Sequence, residues 1–247
     1  MVSSCIWKFL DESSLKDYTL LIPSVAVGNV GQLACDLLIS SLKMTKMGSV
    51  YSPAQIPVIG YNPYNLKSDT ISTSCEIYKS QIKKLCVLQL RSPVIFKYAK
   101  TFLEEVVMMF MEKNIKDIII LTSSFAHEKK HILSSPFRYV GNEENCYMDM
   151  IKAANLVKHE NYDGELRIFG GGFASLLYEI CICKKIPALI LFKYCSEGDN
   201  IPDAYDMVKY LTNFLPIFNE EKDISSQFVQ PVSWTLLFGR PPPQDIY

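Results

Sequence analysis

Five runs of apolar, often β-branched residues punctuate the chain: 19–27, 85–90, 117–122, 166–169 and 188–194. Runs this short and this continuously apolar predict strands of a parallel or mixed sheet covered on both faces. Residues 48–51 and 75–78 carry weaker versions of the same signal. Helical spacing lies between the runs. Val30, Leu33, Ala34, Leu37 and Leu38 repeat at i, i+3, i+4, i+7 and i+8, which puts them on one face of a helix. Asn29 stands where an N-cap belongs, and Gln32 follows three residues later, a pairing like a capping box. Leu103, Val106, Val107, Phe110 and Met111 predict a second helix, closed by Asn114. Phe173, Leu176, Leu177 and Ile180 predict a third. Ala204, Met207, Val208, Leu211 and Leu215 predict a fourth, with Asn200 as its cap.

Strand and helix alternate, so the fold class is α/β, expected as one three-layer α/β/α domain around a mixed, mostly parallel sheet. The 247 residues suit a single domain over 1–239, followed by a Pro-rich tail over 240–247. Net charge is −1, and the basic residues reach no further than pairs such as Lys83-Lys84. That balance argues against a nucleic-acid partner. No apolar run approaches the roughly 20 residues of a membrane span, so no membrane partner is expected. The apolar start at Met1–Leu10 meets Asp11 and Glu12 too early for a secretory signal. The eight cysteines sit mostly inside apolar runs, which fits free thiols in a reducing, cytoplasmic compartment, with nuclear residence also open.

Several motifs hint at chemistry. His127-Glu128-Lys129-Lys130-His131 matches the H-E-x-x-H pattern of zinc hydrolases. That chemistry needs both histidines on one helical face, yet Ser134, Ser135 and Pro136 stop any helix soon after, so an exposed loop and no metal are expected. Cys181 and Cys183 are two apart and share no helical face. Two glycine turns open helices: Gly28-Asn29-Val30-Gly31 and Gly170-Gly171-Gly172. Such turns either cradle a phosphate at a helix N-terminus or let backbone pack closely. Neither has the glycine order of a dinucleotide or P-loop site. Glu197, Gly198, Asp199, Asn200 and Asp203 form a dense polar segment after the last strand. Its carboxylates suit acid–base or Mg²⁺ chemistry, or complement the positive end of the next helix.

Four segments together resemble the proteasome assembly chaperone family. They are Leu20 to Ala34, Ser135-Pro136-Phe137-Arg138-Tyr139, Ser196 to Ala204, and Pro231 to Gly239, in family order along nearly the whole chain. The resemblance implies a single domain of nucleoside-phosphorylase-like topology with no catalytic residues, cofactor or metal. Gly28, Asn29, Gly31, Gln32, Glu197, Gly198, Asp199 and Asn200 are the matching motif positions. It further implies a heterodimer with proteasome assembly chaperone 1 that helps proteasome α-subunits form their ring and prevents aberrant ring pairing. Family tails end in a hydrophobic residue, tyrosine and one further residue, and enter pockets between α-subunits. This chain carries Ile246 and Tyr247 at the corresponding place without the further residue. The alternative from the residues alone is an α/β enzyme acting on a nucleoside or phosphorylated small molecule.

Overall fold

A computed structural model describes residues 5–130, 133–141, 147–162, 164–219 and 221–236. Its strands run β1 (Ile6–Phe9), β2 (Thr19–Pro23), β3 (Thr45–Tyr51), β4 (Ile59–Tyr61), β5 (Ile71–Thr73), β6 (Cys75–Ser80), β7 (Leu85–Leu90), β8 (Asp117–Phe125), β9 (Phe137–Gly141), β10 (Val157–Lys158) and β11 (Ala188–Cys195). Its helices are α1 (Val30–Ser41), α2 (Phe96–Glu112), α3 (Met148–Ala153), α4 (Ala174–Cys183) and α5 (Ile201–Thr212).

Nine strands make one sheet in the order β1-β3-β6-β7-β2-β8-β11-β9-β10. The centre, β7-β2-β8-β11, is parallel. Antiparallel strands flank it, β6, β3 and β1 on one side and β9 on the other. Because strand side chains alternate between faces, the central runs split cleanly. Leu21, Ile119, Leu121, Leu189 and Leu191 pack on the α1 and α5 side. Leu20, Ile22, Ile118, Ile120, Ile190 and Phe192 pack on the α2 and α4 side. Each such buried side chain contributes about 1.5–3 kcal/mol relative to exposure. The expected three-layer α/β/α arrangement follows.

Several local readings need correction. Residues 166–169 form no strand. They are at most half-buried and run across the ends of β8, where Phe169 O accepts from Ser124 Oγ (2.9 Å) and Phe125 N (3.2 Å). The first strand stops at Pro23 rather than Val27, because the chain then turns through a short 3-10 segment at Val27–Asn29. Asn29 caps α1 by position only. Its φ is 51°, its side chain makes no capping bond, and Gln32 instead donates from Nε2 to Leu90 O at 2.8 Å. Asn200 likewise makes no side-chain cap on α5; Asp199 Oδ1 accepts from Ile201 N at 3.1 Å. Asn114 does end α2 as expected, in the left-handed region at φ 62°.

Candidate functional site

In open α/β sheets the carboxyl ends of the parallel strands are where ligands sit. Here the ends of β2 and β8 are closed by the chain itself. Ser24 Oγ and Thr122 Oγ1 both donate to Gly171 O, at 2.8 and 2.9 Å, and Phe173 N donates to Ser24 Oγ at 2.9 Å. Val27 N donates to Gly170 O at 2.9 Å, and Ser123 Oγ donates to Val27 O. The glycines permit this closeness. A Cβ on Gly31 would lie 2.5 Å from Leu121 O, and one on Gly28 would lie 2.6 Å from the Asn200 side chain. Of the two readings of the glycine turns, close backbone packing is the one these contacts describe.

The polar segment divides in the same way. Glu197, Gly198 and Asp199 are exposed, whereas Asn200 is 4% exposed. Asn200 Nδ2 donates to Ser196 O (2.9 Å) and Asp203 Oδ2 (2.8 Å). Lys193, on β11, pairs with Asp203 at 2.6 Å and Asp206 at 2.7 Å. Burial works against the Lys193 charge, but those hydrogen bonds outweigh it and hold its pKa above the usual value. The Asp203 carboxylate is thus committed to a lysine that the sequence reading did not connect to it.

His127 and Glu128 lie on a 3-10 turn directly after β8, not on an α-helix, and the His127 ring stacks on Phe125 at 5.2 Å. His131 lies outside the described residues, as do Ile246 and Tyr247. Cys181 is buried in α4, and burial pushes its thiol up to about 12; Cys183, two residues on, is exposed.

A different feature faces solvent. β4 and β5 pair only with each other, as a two-stranded ribbon beside the main sheet. Two-stranded ribbons are marginal alone in water, and this one is anchored by a buried ionic network. Glu76, on β6, is fully buried. It accepts from Ser72 Oγ (2.6 Å), Tyr78 OH (2.8 Å) and Thr73 N (3.1 Å), and pairs with Lys46. Arg91 forks onto Asp36 of α1, Nη1 to Oδ2 at 3.2 Å and Nη2 to Oδ1 at 3.0 Å. It also donates to Tyr64 OH (2.8 Å) and Ser72 Oγ (3.1 Å). Tyr64, Ser72 and Thr73 belong to the ribbon and its loop, so the network clamps the ribbon to the body. The outer face is apolar: Ile59 is 73% exposed and Tyr61 83%, with Ile71 and Val58 also exposed. A groove lined by Ile6, Val50, Tyr51, Pro57, Val58 and Ile59 separates the ribbon from the edge strand β1. Exposed apolar clusters of this kind mark interaction sites. Sequence reasoning passed over it because residues 56–73 mix Pro, Asn and Ser with single apolar residues.

A model of the PAC2 family matches residues 20–216. The chain belongs to the PAC2 family. The match spans the parallel core, the ribbon and the sealed strand ends. Among curated PAC2 relatives, proteasome assembly chaperone 2 of Homo sapiens is 38% identical over 91% of this chain and 93% of its own. The Xenopus tropicalis protein of the same name is 36% identical over 94% and 95%. Solved structures share the fold. Pyrococcus furiosus PbaA, described as an archaeal homolog of proteasome-assembly chaperone, superposes with TM-score 0.69 at 15% identity, covering 89% of each chain. PbaB from the same organism, described as an archaeal proteasome activator, gives 0.67 at 16% identity, covering 90% of this chain and 92% of its own.

Proposed function

We propose that this PAC2-family chain is a proteasome assembly chaperone that works as a heterodimer with proteasome assembly chaperone 1. The pair promotes formation of the α-subunit ring and keeps rings from pairing aberrantly, in the cytoplasm and nucleus. Full-length similarity to curated proteasome assembly chaperones is the observation that carries this reading. It assigns no catalytic step and no cofactor.

The geometry supports a division of labour. Lasting subunit contacts are more apolar than transient ones, so the apolar ribbon suits the permanent partner chaperone. A contact that must release the ring suits a short tail, here Ile246 and Tyr247. Affinity capture from cytosol should therefore recover proteasome α-subunits together with the partner chaperone. Recovery of neither would reject the chaperone reading.

Two variants separate the surfaces. Ile59→Ser with Tyr61→Ser removes side chains that pack on little of this chain, so stability should change by only about 0.5 kcal/mol. Heterodimer affinity should fall by about 2 kcal/mol, roughly a thirtyfold rise in Kd. An unchanged Kd would remove the ribbon from the interface. Deleting Ile246 and Tyr247 should leave the heterodimer intact and weaken its binding to assembled α-rings. Ring affinity that survives this deletion, with the partner's tail also removed, would leave the folded surface as the whole binding site.

A further inference from the structure

One strand along from the crevice that the chain seals, a cavity of about 70 Å³ opens beside the end of β11, lined by Ser124 of β8, Tyr194 of β11, Arg138 of β9 and residues 157–160. Pockets for drug-sized ligands run to roughly 300–1,000 Å³, so this one suits a single small polar group.

The lining selects the charge of that group. Arg138 is only 6% exposed. Its Nη1 donates to Ser135 O (2.6 Å) and Phe137 O (2.7 Å), and its Nη2 donates to Ser134 Oγ (2.8 Å). A guanidinium carries five N–H donors, so two have no protein acceptor among the described residues. No carboxylate pairs with Arg138 among those residues either; its flat face lies over the Tyr194 ring at 5.5 Å. Lys130 and Lys158 line the same cavity. Arg167 is occupied outside it, by Glu165 at 2.6 Å. Glu128 and Glu160 are the carboxylates of the lining, which leaves three available cations against two anions. His159 Nε2 faces Arg167 O at 2.9 Å, a carbonyl that can only accept, so Nε2 holds the proton of the neutral ring. Burial lowers the His159 pKa, and Arg138 and Lys130 add to the lowering. The ring therefore leaves the cationic work to Arg138 and the lysines.

We infer that this cavity binds a small phosphate group, free or as a phosphomonoester, held by Arg138, Lys130 and Lys158. The two spare Arg138 donors and the two ammonium groups outnumber the two oxygens of a carboxylate. A phosphate offers three strong acceptor oxygens and about 1.5 to 2 negative charges, which also fits a site with a positive balance. Arg138 stands within the Ser135–Tyr139 motif, so this inference gives that segment a task that subunit contact through the ribbon does not.

The test uses the full chain at constant ionic strength, titrated with inorganic phosphate while the His159 imidazole resonance is followed by NMR. Saturable binding is expected, with an upward shift of the His159 pKa, because a nearby anion favours the imidazolium. Arg138→Gln should weaken binding about tenfold. Because Arg138 also holds the 134–137 turn, Lys158→Gln, at an exposed position, serves as a second variant, expected to weaken binding several-fold with stability unchanged. Glycerol phosphate binding as well as inorganic phosphate would point to phosphomonoesters, and its exclusion to free phosphate; either supports the site. No saturable shift in the unaltered chain, undiminished binding in Lys158→Gln, or acetate binding as tightly as phosphate would overturn it.

Discussion

Arg91→Ala is expected to destabilise the chain by about 3–5 kcal/mol, the range for removing one member of a buried ion pair. Arg91 is the hub of the network under the ribbon. It forks onto Asp36 at 3.0 and 3.2 Å, bonds Tyr64 and Ser72, and lies 3.8 Å from Glu76. Burial opposes the guanidinium charge, but the Asp36 and tyrosine interactions overcome it and hold the Arg91 pKa above its usual value. Glu76 would keep Lys46, Ser72, Thr73 and Tyr78 after the substitution. Asp36 would keep only the Tyr64 hydroxyl, at 2.5 Å, among its side-chain partners here. The cost therefore comes mainly from a stranded Asp36 carboxylate. Urea denaturation measures it, and at this chain length melting should drop by about 2–4 °C per kcal/mol. Adding Asp36→Leu to an Arg91→Met background should restore more than half of the loss, since replacing both partners removes the orphaned charge. A loss below about 1 kcal/mol in Arg91→Ala would show that the network contributes little.

Gly172→Ala is expected to cost roughly 3–5 kcal/mol, among the larger single-site effects. Two penalties combine. Gly172 has φ +62°, where an L side chain is strained by about 1–2 kcal/mol. Its added Cβ would also lie 2.2 Å from Val25 O and 2.6 Å from Ser24 Oγ. The nearer atom is backbone, so relief requires moving the turn that seals β2. Gly164→Ala separates the penalties. Gly164 has φ +80° but nothing within 4 Å of an added Cβ, so only the strain should appear. Equal losses in the two variants, read by denaturant midpoint, would exclude the clash as a cause.

The parallel centre was legible because β7, β2, β8 and β11 are buried on both faces, and that demand writes unbroken apolar runs into the sequence. The flanks were less so. β9 holds Arg138 in mid-strand, and β1 is four residues long beside Asp11. Residues 166–169 have strand composition, but they lie across strand ends, where no ladder is on offer. The glycine turns are legible as helix openings, although no strand immediately precedes the second, and their use stays open because the same spacing serves a phosphate or a neighbouring carbonyl. Nothing in the chain order announces the ionic network. Asp36, Glu76 and Arg91 come from a helix, a strand and a loop, and only folding brings them together. The polar segment was found, but Lys193, which answers Asp203, sits inside what reads as an apolar strand.

The C-terminal segment has a fixed point of departure. Ser233 N donates to Pro63 O at 3.1 Å, in the loop between β4 and β5, and Trp234 is buried nearby in the α1 and α5 core. The eleven residues 237–247 follow this anchor in the sequence. At no more than about 3.3–3.6 Å per residue, Tyr247 reaches at most roughly 40 Å from that anchor. On the function proposed above, a ring pocket inside that radius would meet the tail at a high effective concentration once the chaperone had docked, so a weak two-residue contact would become useful. A pocket outside it would be beyond covalent reach. On that function, chain length would act as a ruler, and lengthening the Pro241-Pro242-Pro243 stretch would change which pockets fall within reach without altering the folded surface.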